Sequence, residues 1–252
     1  MEYKEAYDKI KREFERTIAS DKATARFYAK LRDGTASYAD ATAFANRSGR
    51  ILAETCGEQL EMFFGEGGVP PDAIAQLMPP VLREECEAVL KNSSQVQKSI
   101  NKKAGLQLNP VDVPVNEGRI SGLVTHMEEA GIQKESGELI ANLAMSHVDD
   151  TISSNAEFQS RSGLRVTVSR YYDDVGINHR TEDCQWCLDR TGVDVPYREA
   201  KSRGMFERHP GCNCTLEYHT EKRTDRQVNW KHNEWRDSRE IIEQRKKIGI
   251  ED

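Results

Sequence analysis

Four of the six cysteines in the chain lie within 31 residues near its carboxyl end, and their spacing could hold a metal ion. Cys184 and Cys187 form a Cys-x-x-Cys pair, and Cys212 and Cys214 follow as a Cys-x-Cys pair. Two intervening residues allow both sulfurs of a tight turn to face one zinc ion, and a later pair can complete a tetrahedral set. The pattern therefore predicts a metal site that joins two distant segments of the chain.

His209 precedes the second pair by three residues and offers a ring nitrogen in place of one sulfur. We expect zinc on Cys184, Cys187 and Cys212, with either Cys214 or His209 as the fourth ligand. Four protein ligands would leave no position for water, so the predicted site is structural rather than catalytic. The same cysteines could instead be reduced thiols or form two disulfides, and these alternatives stay open at this point.

Catalytic motifs do not accompany the cysteines. A zinc deaminase has a proline before its Cys-x-x-Cys, whereas Asp183 precedes Cys184. The sequence also lacks the Gly-x-x-x-x-Gly-Lys-Ser/Thr phosphate loop and the Gly-x-Ser-x-Gly elbow. The acidic pairs Asp173-Asp174 and Glu182-Asp183 could bind Mg²⁺, but we expect them to carry solvated charge. We therefore predict that the protein is not an enzyme.

Composition and charge narrow the class of protein. The chain has 252 residues, 37% of them hydrophobic and 31% charged, which suits one or two folded domains. Its net charge is −6 and no segment has a large basic excess, which disfavours a free-standing DNA-binding protein. The sequence contains no apolar run of about 18 residues, so it predicts no membrane span. It also has no apolar stretch after the amino terminus of the kind found in a secretory signal. We therefore expect thiols or metal ligands rather than a disulfide framework.

Apolar residues recur at helical spacing through most of the chain, so we expect helices to position the cysteine cluster. Asp21 is suited to cap the start of one helix, and Gly34 is suited to end it. Apolar residues recurring at helical spacing predict helices over residues 5–19, 22–31, 38–64, 118–130 and 136–158.

A pair of prolines interrupts the next part of the helical pattern. Pro79-Pro80 predicts a break between a helix that begins at Asp72 and a second helix over residues 81–101. Cys56 and Cys86 fall within predicted helices, where we expect small core residues rather than metal ligands.

Farther along the chain, the sequence predicts an extended linker and two strands that lie on either side of the cysteines. Two prolines predict an extended linker over 108–115, because proline disfavours helix in the residue before it. Residues 164–172 alternate between apolar and polar side chains, and residues 215–218 do so more briefly, as half-buried strands do. A heavily charged helix with two tryptophans is predicted over 229–248.

These elements predict a mainly α fold with a small α+β module near the carboxyl end, in which the cysteines link the strands to the loops between them. The predicted division is a helical domain over 1–108, a linker with connecting helices over 109–163, the cysteine module over 164–220, and a charged helix over 221–252.

The block from residue 165 to residue 218 resembles the carboxyl-terminal part of tailed-phage minor head, or head morphogenesis, proteins of the Mu F type. Those proteins have a strand, an acidic residue before Cys-x-x-Cys, a loop with a glycine, and His-Pro-x-Cys-x-Cys before a final strand. The matching stretches are residues 165–170, 183–187, Gly192 and 209–216. The whole block covers about a fifth of the chain, and Asn213 stands where the family often has arginine.

The resemblance implies a structural component of the phage virion. Such proteins associate with portal or inner capsid proteins, and packaged DNA is a further partner of the class. The expected location is the phage head, and the host cytoplasm during assembly. Two other functions stay open as alternatives: a metal-dependent enzyme acting on nucleic acid, and a zinc-stabilised DNA-binding module.

Overall fold

The computed structural model describes residues 3–132, 136–172 and 184–221 of the chain. Helix accounts for 69% of the described residues, and a three-stranded antiparallel sheet lies near the carboxyl end. This confirms the mainly α fold with a small α+β module. The predicted charged helix, with Trp230 and Trp235, lies outside the described residues. None of the described helices combines the length and apolar character that a membrane span requires.

Six long helices form what we call the helical body. They are α1 (Lys4–Ser20), α2 (Lys22–Arg32), α3 (Tyr38–Phe64), α4 (Pro71–Lys103), α5 (Glu117–Ala130) and α6 (Ser136–Arg161). The most extensive helix contact is between α3 and α6, and α4 packs against both α5 and α6.

The contact between α3 and α6 depends on a glycine. A Cβ atom at Gly49 would lie 2.7 Å from the Cα atom of Ala141 and 2.9 Å from its nitrogen. Real Cβ atoms do not approach backbone atoms this closely, so any larger side chain at this position would push the helices apart. A missing side chain therefore sets the spacing of the two central helices.

The helix ends follow the predicted signals. Asp21 accepts a hydrogen bond at 2.8 Å from the Thr24 amide and so caps α2, as predicted. Gly34 follows the end of α2 with a φ of +67°, a conformation that glycine adopts without strain. Ser37 and Asp40 form a reciprocal capping box at the start of α3.

The predicted break at Pro79-Pro80 is wrong, because α4 continues through both prolines. The buried positions Leu77, Met78 and Leu82 keep one apolar face in the core on both sides of the prolines. The prolines remove the hydrogen bonds that would reach the carbonyls four residues earlier, at exposed positions 75 and 76, where water can replace them. Packing on the inner face therefore outweighs the local cost of the two prolines.

An extended segment joins α4 to α5, as the two prolines predicted, and it is pinned to α6 by hydrogen bonds. The Val111 amide donates to Oδ1 of Asn155 at 2.9 Å, and the Asn116 amide donates to Nε2 of His147 at 3.2 Å. These bonds hold the segment on α6 through side chains of that helix.

The sheet consists of β1 (Arg165–Tyr171), β2 (Gly192–Pro196) and β3 (Thr215–Glu221), in the order β2-β1-β3. The two predicted strands are confirmed as β1 and β3, which pair antiparallel over their full length. The strand β2 was not predicted, and its pairing with β1 is irregular between Val168 and Arg170. Two short helices, α7 (Gln185–Leu188) and α8 (Tyr197–Ser202), flank β2.

One hydrophobic cluster joins the sheet to the helical body. Val168 and Tyr218 from paired positions of β1 and β3 belong to the same buried cluster as Phe44 of α3 and Val148 and Ile152 of α6. The core therefore continues across residue 163, from helices into sheet. The domain boundaries at 108, 163 and 220 stay a prediction.

Candidate metal centre

The first cysteine pair is placed by α7. Cys184 precedes this helix, and its carbonyl accepts a hydrogen bond at 3.0 Å from the Leu188 amide. The Cys184 amide donates to the Tyr172 hydroxyl at 3.1 Å, which fixes the start of the turn. The resulting helical turn brings the sulfurs of Cys184 and Cys187 within 4.8 Å of each other.

The second pair is placed by the loop between α8 and β3. The Cys212 amide donates to the carbonyl of His209 at 3.1 Å and closes a tight turn. Gly211 within this turn has a φ of +76°, a conformation that side chains other than glycine rarely adopt. Cys214 is the last residue before β3, so the sheet sets its position.

The five predicted ligands lie together, in two overlapping groups of three that share Cys187. Cys184 and His209 complete one group, Cys212 and Cys214 complete the other, and the ligand atoms of each group lie within 4.8 Å of one another. Nε2 of His209 is 3.0 Å from Sγ of Cys187 and 3.3 Å from Sγ of Cys184. The sulfurs of Cys187 and Cys212 are 3.8 Å apart. Bonds of about 2.3 Å to a tetrahedral ion would separate neighbouring sulfurs by about 3.8 Å, so this cluster could hold a metal ion.

The ring of His209 is oriented with one nitrogen towards the cysteines. Its Nδ1 lies 2.7 Å from the carbonyl oxygen of Pro210, close enough to donate a hydrogen bond. A proton on Nδ1 leaves Nε2 with a free electron pair, which is the arrangement found in metal-binding histidines. The ring of Trp186 packs edge-on against His209 with centroids 5.0 Å apart and limits its rotation.

The cluster is closed to solvent on most sides. Cys187, Cys212 and Cys214 are buried, and Cys184 is half-buried. All six cysteines of the chain are free of disulfides. With four protein ligands available and little exposure, a bound ion would have a structural rather than a catalytic coordination sphere.

The surroundings shift the pKa values of the buried cysteines in opposite directions. A hydrogen bond with the Cys214 thiol, together with the charges of Arg208 and Arg170, lowers the pKa of Cys212 to about 4, although burial opposes the shift. The hydrogen bond to Cys212 raises the pKa of Cys214, and burial adds to this effect. Burial raises the pKa of Cys187 to about 12. Among Cys187, Cys212 and Cys214, the surroundings favour the thiolate only at Cys212.

A buried ion pair anchors the loop between α8 and β3 to α6. Arg208 and Asp149 of α6 have side chains that are 4% and 1% exposed and form a two-bond pair, with one bond of 3.0 Å between Nη2 and Oδ1. Nη1 of Arg208 also donates to the carbonyl of Cys212 at 3.3 Å. The pair thus links the second cysteine turn to the central helix of the body.

Two asparagine side chains complete the attachment of the loop to the helical body. Nδ2 of Asn142 on α6 donates to the carbonyl of His209 at 3.2 Å. Nδ2 of Asn46 on α3 donates to Oδ1 of Asn213 at 2.9 Å. The cysteine loop is therefore held by both of the central helices.

The sequence did not single out the arginines that surround the cluster. Arg170 of β1 is 1% exposed and donates from Nη2 to Sγ of Cys212 at 3.3 Å. Arg190 places its guanidinium 3.8 Å from the ring centroid of Trp186, and that of Arg170 is 5.6 Å from the same ring. A signal existed for Arg170, because it stands two residues after Val168 and so shares the buried face of the strand.

Other residues considered in the sequence are not part of this cluster. Cys56 and Cys86 are buried among the helices, as predicted, and burial raises the pKa of Cys56 to about 12. The acidic pairs Asp173-Asp174 and Glu182-Asp183 lie outside the described residues.

Comparison of the chain with protein-family models, with curated proteins and with solved structures finds no match.

Proposed function

We propose that the protein is a structural component of a tailed-phage head, and that its cysteine centre holds a structural zinc ion. The observation that carries the proposal is that Cys187 lies within 4.8 Å of Cys184 and His209 and also of Cys212 and Cys214, so that the two segments on which the family resemblance rests meet at one cluster. A closed site of this kind stabilises a fold and offers no open position for a substrate. It therefore suits an assembly protein better than an enzyme.

Zinc is the ion that the donor set favours. Thiolate and imidazole ligands select zinc over magnesium or calcium, which prefer oxygen. The separation of 3.8 Å between the sulfurs of Cys187 and Cys212 suits tetrahedral coordination. No carboxylate lies among the candidate ligands of the two groups in the described part of the chain.

The partners we propose are the portal and inner capsid proteins, with packaged DNA as a further partner. The proposed location is the phage head, with the host cytoplasm as the site of assembly. The helical body supplies the surface for these contacts, because the cysteine loop is already occupied in packing against α3 and α6.

Co-purification tests the assembly function. The full chain would be co-expressed with the portal and major capsid proteins of the same genome and purified under reducing conditions at moderate and high salt. We expect the portal to co-purify with the full chain at both salt concentrations. A chain that binds neither protein, while it is folded and metal-loaded, would contradict the proposal.

Assays with DNA test the two alternative functions. Metal-dependent cleavage of DNA by the wild type, abolished by Asp173→Ala or Asp183→Ala, would replace the structural function with a nuclease. Tight DNA binding that weakens steeply with salt would favour the DNA-binding module instead. The proposal predicts neither result.

A further inference from the structure

His147 is a fully buried histidine of α6 with a hydrogen bond at each ring nitrogen. Its Nδ1 lies 2.8 Å from the carbonyl oxygen of Leu143, and its Nε2 lies 3.2 Å from the amide nitrogen of Asn116. A carbonyl oxygen can only accept and an amide N–H can only donate, so the proton of the neutral ring must be on Nδ1. These two bonds therefore hold His147 in one tautomer and without charge.

The residue that His147 holds is the one at which the extended segment ends and α5 begins. Asn116 is the N-cap residue of α5, and its side chain accepts a hydrogen bond at 3.1 Å from the Arg119 amide. Nη1 of Arg119 donates to Oγ of Ser146 at 3.1 Å, and the guanidinium pairs with Asp150. Side chains of α6 therefore fix the first turn of α5 through one buried hydrogen bond and one partly exposed ion pair.

Apart from these bonds, α5 has few features that hold it in place. Of its 14 residues, only Ile120, Val124 and Met127 are buried. Gly118 and Gly122 lower its intrinsic helix propensity. Elements with few buried apolar contacts can open locally while the rest of a protein stays folded. The bonds to α6 therefore contribute much of what keeps the first turn of α5 closed.

A second proton on the ring of His147 would break its bond to α5. This proton would reside on Nε2 and face the N–H of Asn116, so a donor would replace the acceptor. Burial lowers the pKa of His147, although the bond to Leu143 opposes this effect. Asp150 also favours the charged ring and Arg119 disfavours it, and these two residues pair with each other. Within the described residues, α3, α4 and the extended segment contribute no charged group that acts on the ring.

We infer that His147 is a pH-dependent switch, which holds the end of the extended segment and the first turn of α5 against α6 at neutral pH and releases both in acid. A second hydrogen bond holds the same segment at Val111, and its acceptor Asn155 does not titrate. The release is therefore confined to the end of the segment that joins α5. The inference depends neither on the zinc site nor on the proposed assembly function.

The pH range of the switch follows from proton binding. In the closed state the pKa of His147 lies below its ordinary value of about 6.5, whereas opening returns the ring to water and to that value. The open state therefore binds more protons, so the closed state loses stability as pH falls below about 6.5. Each pH unit below that value, down to the pKa of the closed state, increases the open population up to about tenfold.

Amide hydrogen exchange of the full chain from about pH 7.5 to about pH 5, corrected for the pH dependence of intrinsic exchange, tests the switch. We expect protection at Asn116 and in the first turn of α5 to fall up to about tenfold for each pH unit below about 6.5, with protection retained in α3. His147→Gln should remove this dependence, because its amide oxygen can replace Nε2 as the acceptor and does not titrate. His126→Gln, at an exposed position of α5, is the matched control and should behave as the wild type. Equal pH dependence in both variants would overturn the inference.

Nitrogen NMR of the histidine rings tests the switch on the wild type, so it does not depend on a variant that folds. We expect the ring of His147 to carry its proton on Nδ1 at neutral pH. It should take up its second proton over the same pH range in which Asn116 loses protection. A neutral ring with its proton on Nε2 would overturn the inference, and so would a charged ring while Asn116 stays protected. Loss of protection at Asn116 while the ring stays neutral would also overturn it.

Discussion

The helical body and the region around the candidate metal centre, residues 184–214, differ in what fills their buried space. One core of the body is aliphatic, and Ile10 of α1, Leu82 of α4 and Met127 of α5 are almost fully buried in it. The cluster of the metal-centre region contains three buried cysteines, with Tyr172, Trp186 and Cys184 half-buried beside them. The body therefore draws its stability from many apolar contacts. Val195, Tyr197 and Met205 of residues 184–214 join the cluster shared with the body, but the buried residues at the candidate ligands are the cysteines themselves.

This difference predicts which single substitutions should reduce stability most. Apolar burial contributes about 25 cal/mol for each Å² and is spread over many side chains, so one change removes only a small part of it. A structural zinc ion concentrates a large free energy in four bonds. Changes at the metal should therefore unfold one region, and changes in the body should lower the stability of the whole chain.

The largest expected effect comes from Cys187→Ser, because Cys187 belongs to both groups of ligands. Loss of the ion should remove about 10 kcal/mol of binding free energy from the metal-centre region. Amide hydrogen exchange should then show lost protection over residues 184–214, with protection retained in α3 and α4. Cys86→Ser in the helical core is the matched control, and it should leave zinc binding unchanged. Equal loss of protection in both regions would contradict the comparison.

The next effect concerns the buried ion pair that joins the two regions. Asp149→Asn leaves Arg208 charged and unpaired in the interior, so we expect a loss of about 3–5 kcal/mol in the free energy of unfolding. Asp150→Asn is the control on the neighbouring residue, because its pair with Arg119 is partly exposed and should contribute less than about 1 kcal/mol. Urea unfolding of the zinc-loaded variants measures both. Similar losses for the two variants would show that burial does not distinguish these pairs.

A carboxyl group in the helical body should make stability depend on pH. Burial raises the pKa of Glu85 from 4.5 to about 7, against a hydrogen bond from Ser48 that lowers it. Between these two values the folded chain binds more protons than the unfolded chain, so stability falls as pH rises and levels off above pH 7. Glu85→Gln should remove this fall and stabilise the chain at pH 8 by about 3 kcal/mol. Glu87→Gln, at an exposed position of the same helix, should leave the pH dependence intact in urea unfolding from pH 4.5 to 8.

The smallest expected effect distinguishes two glycines of α3. Gly49→Ala should destabilise the body by about 1–3 kcal/mol, because its Cβ would meet the backbone of Ala141. Gly57→Ala has no atom within 4 Å of the added Cβ and should stabilise the chain by about 0.5–1 kcal/mol through helix propensity. Thermal unfolding of both variants measures the difference. Stabilisation by Gly49→Ala would mean that α3 and α6 can separate without cost.

The parts of the fold that sequence predicts well are those set by local patterns. Helical spacing predicts α3 from Tyr38 to Phe64, and the cap at Asp21 is a short-range hydrogen bond. Cysteine spacing likewise identifies the candidate ligands, because a tight turn brings such a pair together wherever it occurs. Alternation predicts β1, although Val168, Ser169 and Arg170 are all buried in the folded strand.

The parts that sequence does not predict depend on tertiary packing. The continuation of α4 through Pro79-Pro80 is decided by a buried face that the prolines do not reveal. The strand β2 is short, has one buried residue and carries Asp194 at a φ of 52°, so no alternation identifies it. Burial of Arg170 and of the pair of Arg208 with Asp149 joins segments far apart in the chain, and composition alone favours solvent for charged residues.

Zinc content tests the central claim most directly. The full chain would be purified under reducing conditions and analysed for metals, and its reactive thiols would be counted before and after a strong chelator is added. The account predicts one zinc ion per chain, with Cys184, Cys187 and Cys212 becoming reactive only after the metal is removed. A folded chain that contains little zinc and has these thiols reactive from the start would contradict it.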